Sequence, residues 1–239
     1  FVTGSFSLVA EDLNFQDPNN YCLSTVTANQ FVCRQLGSQT TTGFRTSVFR
    51  DTRDYYLDPR TGWRIGGGFD YGTPYLGGTN NFYKYYIDAI KYTPLPYDTR
   101  FSLHVRYGDA EGIKDKPVPL TELFFVGGIN TMRGFVFGRA GPVDPNTYAL
   151  LGANKQLIFN NDFIFTISSE AKLNGVIFFD YGKGFAQDES VTLNLRKAAG
   201  IEGRWISPFG PLRVAYGINL EPRTGERKGV FEFTMGQMF

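Results

Sequence analysis

The sequence predicts an all-β chain built as a transmembrane antiparallel β-barrel. Three observations predict it. Apolar and polar residues alternate with a period of two through about ten segments. Each segment runs about ten to sixteen residues, whereas soluble strands average roughly 5–6 and strands tilted across a bilayer need roughly 9–11. The connections alternate between short turns and mostly longer loops, which is the pattern of an outer-membrane barrel.

The segments fall near residues 1–12, 39–51, 62–74, 81–94, 99–109, 153–168, 174–185, 191–206, 211–220 and 229–239. The first opens on FVTGSFSLV, which already alternates and carries no secretory leader. The chain therefore reads as a processed or truncated piece of something longer. The second closes a long link at 13–38. The third sets Trp63, Ile65, Phe69 and Tyr71 against Arg64, Gly66, Gly68 and Asp70. The fourth carries Tyr83 and Tyr85 near its start, which with Tyr55 and Tyr56 suits an interfacial aromatic girdle.

The fifth sets Phe101, Leu103, Val105 and Tyr107 against Ser102, His104 and Arg106. The sixth places Asp162 opposite Leu157, Phe159, Phe163 and Phe165, so Asp162 points inward. In the seventh, Asp180 and Phe178 lie opposite Ile177, Phe179 and Tyr181 and also point inward. The eighth ends at the turn SPFGP. The ninth alternates Leu212, Val214, Tyr216 and Ile218 with Arg213, Ala215, Gly217 and Asn219. The tenth sets Phe231, Phe233, Met235 and Phe239 against Glu232, Thr234 and Gly236. A soluble β-sandwich also alternates, but segment length and loop asymmetry favour the barrel. In lipid every backbone N–H and C=O needs a partner, which a closed sheet supplies.

Composition narrows the function classes. With 24 basic and 23 acidic side chains there is no electrostatic footprint for nucleic acid. The one histidine, His104, sits on a strand, and no G-x-S-x-G elbow surrounds any serine, so no catalytic residues are expected. GWRIGGGFDYG lacks the Lys-Ser/Thr ending of a phosphate loop. No metal site or cofactor is expected. Cys22 and Cys33 lie close together in a polar segment, which predicts a short-loop disulfide and an oxidising compartment.

One connection stands apart. The longest, between 109 and 153, contains GGINTMRGF, a lone arginine among glycines and aromatics. It resembles the V-R-G-F/Y motif of the outer-membrane assembly-factor superfamily, with Met132 where the family usually has valine. DTRDYYLDPRTGWRIGG resembles that family's turn before a strand, and VIFFDYGKGF its F-x-D-x-G strand. GIEGRWISPFGPLRVAYG and FEFTMGQMF resemble its closing strands, in the family's order and with the best fit to its BamA branch.

The resemblance implies a sixteen-stranded barrel of which residues 1–239 are the C-terminal part, with the first strands and the periplasmic POTRA domains absent. It implies that the loop folds back into the lumen and that Arg133 pairs with Asp180 and, second, Asp162, beside Phe178. Gly134 then allows a sharp turn, and Phe135 anchors the tip on the inner wall. At the other end of the chain, Gly236 would let the last strand, ending in Phe239, kink away at a weak lateral seam. The function so implied is insertion of β-barrel proteins into the bacterial outer membrane. Its partners are outer-membrane lipid, client barrels and accessory periplasmic or lipoprotein subunits. The alternative is a two-partner-type secretion pore that passes an unfolded exoprotein.

Overall fold

A computed structural model of the chain describes residues 1–16, 22, 33, 36–145 and 147–236. Among these described residues ten strands form one antiparallel sheet in sequence order. They are β1 (Val2–Phe15), β2 (Gly37–Asp51), β3 (Gly62–Gly72), β4 (Phe82–Leu95) and β5 (Thr99–Gly112), then β6 (Lys155–Ser168), β7 (Leu173–Phe185), β8 (Arg196–Ser207), β9 (Gly210–Asn219) and β10 (Gly229–Met235). Each strand pairs with the next, and among the described residues no ladder joins β1 to β10. Among the described residues no helix is long and apolar enough to cross a membrane.

The alternation read from the sequence sorts side chains by face. Ile177, Ile201, Phe231, Phe233 and Trp205 are exposed on the outer face. Their neighbours Phe178, Asp180, Glu202 and Arg204 are buried on the inner face. Most boundaries differ from the sequence reading by one to three residues, as where β1 runs on to Phe15 and β5 to Gly112, and two others have a clear bearing on the fold. β8 begins at Arg196 rather than 191, because residues 191–195 complete the preceding loop, where the Leu195 amide bonds back to the Leu193 carbonyl at 2.9 Å. β10 pairs with β9 through Met235, and Phe239 lies outside the described residues.

The turns obey local stereochemistry. Tyr97 and Asp98 between β4 and β5 both take positive φ, as a tight primed hairpin turn demands. The link between β2 and β3 is longer and does more than connect. Its Asp58 pairs with Arg100 at the start of β5 and accepts from Asn174 Nδ2 on β7 at 3.1 Å. Arg60 pairs with Asp98, and Pro59 is fully buried. This link straps the inner face from the short-turn end.

The inner face is not uniformly polar. Ile90, Tyr92, Ile164, Val176, Phe178 and Ala215 form an apolar cluster there. A second cluster joins Val126, Met132, Phe135 and Ala140 of the long loop to Ile158 and Ala198 of the wall. A third packs the loop's entry, Val118 and Leu123, on Phe82 and Ala110. The loop supplies the apolar cover that an open inner wall would lack. The disulfide joins Cys22 and Cys33, with a Cα–Cα separation of 5.5 Å.

An outward-facing charge in lipid has no partner, so Ile177→Arg is expected to destabilise the folded barrel by about 2–4 kcal/mol near the bilayer midplane. Urea titration of the barrel folded into lipid vesicles measures this, and inward-facing substitution by a polar residue of similar size at an uncovered site should cost far less.

Candidate functional site: an arginine clamp on the inner wall

The site begins with how residues 113–154 are held. At the loop's base Phe124 and Ala153 exchange backbone hydrogen bonds at 2.8 and 2.7 Å. Glu122, in a short 3-10 turn at Leu120–Glu122, pairs with Arg45 on β2 and accepts from Lys84 Nζ on β4 at 3.3 Å. Lys84 also sits over the Phe124 ring. Deeper in, the Gly128 amide donates to the carbonyls of Met132 and Phe135 at 3.0 and 2.9 Å, closing a compact tip. Gly127 and Gly128 both take positive φ at this entry.

Arg133 leaves that tip and runs into the wall with 2% of its surface exposed. Its Nε donates to Asp180 Oδ2 at 2.9 Å and one Nη2 hydrogen to Asp180 Oδ1 at 2.6 Å, a bidentate fork. The same Asp180 Oδ2 accepts from the Arg133 backbone amide at 2.9 Å. Nη2 also donates to Asp162 Oδ1 at 2.7 Å, and Nη1 to Glu202 Oε2 at 2.6 Å. The guanidinium carbon lies 3.9 Å from the centre of the Phe178 ring. Burial alone would lower the Arg133 pKa. The charges of Asp162, Asp180 and Glu202 outweigh it and hold the guanidinium protonated well above its ordinary range.

Two further arginines complete the cluster. Arg204 donates to Glu202 at 2.7 Å and to Asp162 Oδ2 at 2.6 Å. Arg213 donates from Nε to Glu202 Oε1 at 2.7 Å and from Nη2 to the Ile129 carbonyl of the loop at 3.3 Å. Arg133, Arg204 and Arg213 thus balance Asp162, Asp180 and Glu202, drawn from β6, β7, β8, β9 and the loop. Alongside, Arg106 donates to the loop carbonyls of Asn130 and Thr131 and to Asn160 Oδ1.

The backbone must come close for this to form. Gly134 has φ +84, which an L side chain rarely adopts. Opposite it on β9, a Cβ at Gly217 would stand 2.4 Å from the Gly134 nitrogen. Phe135 is buried, and the Arg196 guanidinium carbon lies 4.6 Å from its ring centre. Met132 is wholly buried in the loop–wall cluster. At the chain's other end Gly236 has φ +89, and its amide donates to Pro211. The structure therefore brings Met132, Arg133, Gly134 and Phe135 together with Asp180, Asp162 and Phe178. Gly236 lies apart, at the end of β10. Sequence reasoning missed Glu202 and Arg204 and gave Arg213 a place in the alternation but no partner. Their signal was present: Ile201 and Trp205 face out, so Glu202 and Arg204 face in.

The Omp85 superfamily domain matches residues 2–239. The chain belongs to the Omp85 superfamily. Among curated relatives, the outer membrane protein assembly factor BamA of Nitratidesulfovibrio vulgaris is 34% identical over 196 residues, covering 80% of this chain and 24% of its own length. BamA of Neisseria meningitidis serogroup B is 23% identical over 222 residues, covering 80% of this chain and 28% of its own. The chain thus spans about a quarter of the length of these relatives. Among solved structures, BamA from Haemophilus ducreyi lacking POTRA domains 1–3 superposes with a TM-score of 0.71 at 18% identity, over 82% of this chain and 42% of that one. CdiB from Acinetobacter baumannii gives 0.56 at 15% identity, over 82% and 33%. As an Omp85 barrel the chain is an outer-membrane protein.

Arg133→Ala would leave Asp180 and Glu202 buried with too few cations, at an expected cost of about 3–5 kcal/mol in urea unfolding of the full barrel. Arg133→Lys should recover only part of it, because one ammonium does not span three carboxylates as a planar fork does. Gly217→Val should lift the loop from the wall, seen as new protease cleavage between residues 113 and 154 in a barrel that remains folded.

Proposed function

We propose that the protein to which this chain belongs folds and inserts β-barrel proteins into the outer membrane, and that residues 1–239 form the C-terminal part of its barrel. Upstream strands and periplasmic POTRA domains then complete it, and accessory periplasmic or lipoprotein subunits assist. No covalent chemistry is involved. The observation that carries the proposal is the charge-balanced clamp of Arg133 in a chain 34% identical to a BamA.

The clamp and the seam divide the labour. Five loop and strand elements locked at one point keep β6 to β9 in a fixed shape. β10 is held by a ladder of seven residue pairs, Gly229–Met235, and its end turns at Gly236. A sheet edge with unpaired N–H and C=O groups is a template for an incoming strand. A client strand that adds there gains main-chain hydrogen bonds while it crosses into lipid. The arginine pairs Met132–Phe135 with the wall, so the loop braces the template and does not itself touch the client. The secretion-pore alternative is less well supported. The loop and the Asp58 strap both occupy the inner face that an exoprotein would traverse.

In vesicles carrying the full-length protein, Arg133→Ala and Arg133→Lys should both slow insertion of a client barrel by about an order of magnitude, with low ion conductance retained. High conductance with unimpaired client insertion would refute the assembly reading in favour of a pore. At Gly236, alanine should cost about 1–2 kcal/mol in the kinked conformation. Gly236→Ala is therefore expected to favour a straight, paired β10, raising the unfolding temperature of the barrel and lowering client insertion.

A further inference from the structure

The tip of the long loop reaches past the clamp to the last strand. Ile129 sits where β9 and β10 run side by side. Its carbonyl accepts from Arg213 Nη2 on β9 at 3.3 Å, and its side chain packs on the apolar cluster of Ile90, Tyr92 and Ile164. Its backbone amide donates to the Glu232 carboxylate of β10. A single loop residue is thus fastened to two adjacent strands.

Glu232 faces inward by the alternation of its strand. Phe231, Phe233 and Met235 are exposed on the outer face, whereas Glu232 pairs in register with Ala215, which is buried. A Cβ at Gly128 would stand 3.5 Å from Glu232 Oε1, which puts the carboxylate against the backbone of the loop tip. The other oxygen, Oε2, is buried and meets no hydrogen-bond donor among the described residues. Arg213 on β9 is no substitute partner, because its Nε and Nη2 both donate to Glu202.

These contacts set the strength of the tie. A buried acceptor without a donor costs free energy, whereas the same oxygen in a wet lumen is hydrated. Arg133, by contrast, donates four side-chain hydrogen bonds to three carboxylates. The tie at Glu232 is therefore weaker than the clamp and opens first when β10 moves. Besides this tie, β10 has its ladder to β9 and the Gly236 amide on the Pro211 carbonyl at 2.8 Å.

We propose that Glu232 is a positioning residue: it latches β10 to the tip of the motif loop, so that the seam strand stays in the sheet until this one contact is released, while the Arg133 clamp stays seated. The loop then has a second task. Through Arg133 it fixes the wall, and through Ile129 it governs the strand at which a client would add. The consequence for client insertion rests on the assembly reading above, whereas the latch itself does not.

The test follows amide hydrogen exchange by mass spectrometry in the full-length protein in lipid nanodiscs. E232A is expected to raise exchange of residues 229–235 at least about tenfold and to leave residues 124–142 within about twofold of wild type. E232Q keeps an oxygen that accepts from the Ile129 amide and should restore protection of β10. T234A trims the next inward side chain of β10 and should leave exchange unchanged. If E232A does not fold, E232D, one methylene short of the loop, carries the same comparison. Unchanged exchange in β10, or equal loosening in T234A, overturns the latch. Loss of protection in both β10 and residues 124–142 overturns its independence from the clamp. In vesicles, E232A is expected to speed insertion of a client barrel about threefold, because its seam opens more readily. Slower insertion overturns the role of the latch at the seam. A wild-type protein that inserts no client refutes the assembly reading, and the exchange comparison still decides the latch.

Discussion

The arrangement depends on one requirement: a guanidinium taken out of water must meet its full complement of negative charge and acceptors. Removing an ion from water costs several kcal/mol even after the protein relaxes around it. Arg133 meets that cost with four side-chain hydrogen bonds to three carboxylates, and the carboxylates meet theirs with Arg204 and Arg213. Neither half of the cluster is stable without the other. The loop brings the central cation, and the wall brings three anions and only two cations. An empty wall is therefore one positive charge short, and the returning loop is the piece that neutralises it.

Close approach is the second condition. Beyond the short 3-10 turn at Leu120–Glu122, the described residues of the loop form no helix or strand to hold a side chain in register, so the wall must do it. Gly217 and Gly134 let two backbones touch where any side chain would hold them apart. The apolar residues around the charges, Met132, Phe135, Ile158 and Ala198, exclude water and so strengthen each ion pair they surround. Packing and electrostatics here are one device.

Much of this was legible in the residues themselves. Period-two alternation assigns a face to every strand residue, so Asp180 and Asp162 could be placed on the inner wall before any coordinates were known. The same rule also placed Glu202 and Arg204 there, but alternation gives a direction and not a neighbour. It says that Arg213 points inward without saying that Glu202 waits two strand positions away on β8. Nor does it distinguish a wall wetted by solvent from one covered by chain. Ile90, Ile164 and Val176 face inward and are dry because other segments lie over them, a tertiary fact with no local signature. The strap through Asp58 is of the same kind: its partner Asn174 is 116 residues away.

The bond between Cys22 and Cys33 has a different bearing. Both sulfurs belong to the single connection between β1 and β2, eleven positions apart. A cross-link confined to one connection braces no pair of strands, so its formation does not wait for the sheet. Thiol oxidation and membrane entry are then separable steps in the life of the chain: an oxidase met in transit can finish its work on a polypeptide that has not yet acquired any of its final shape.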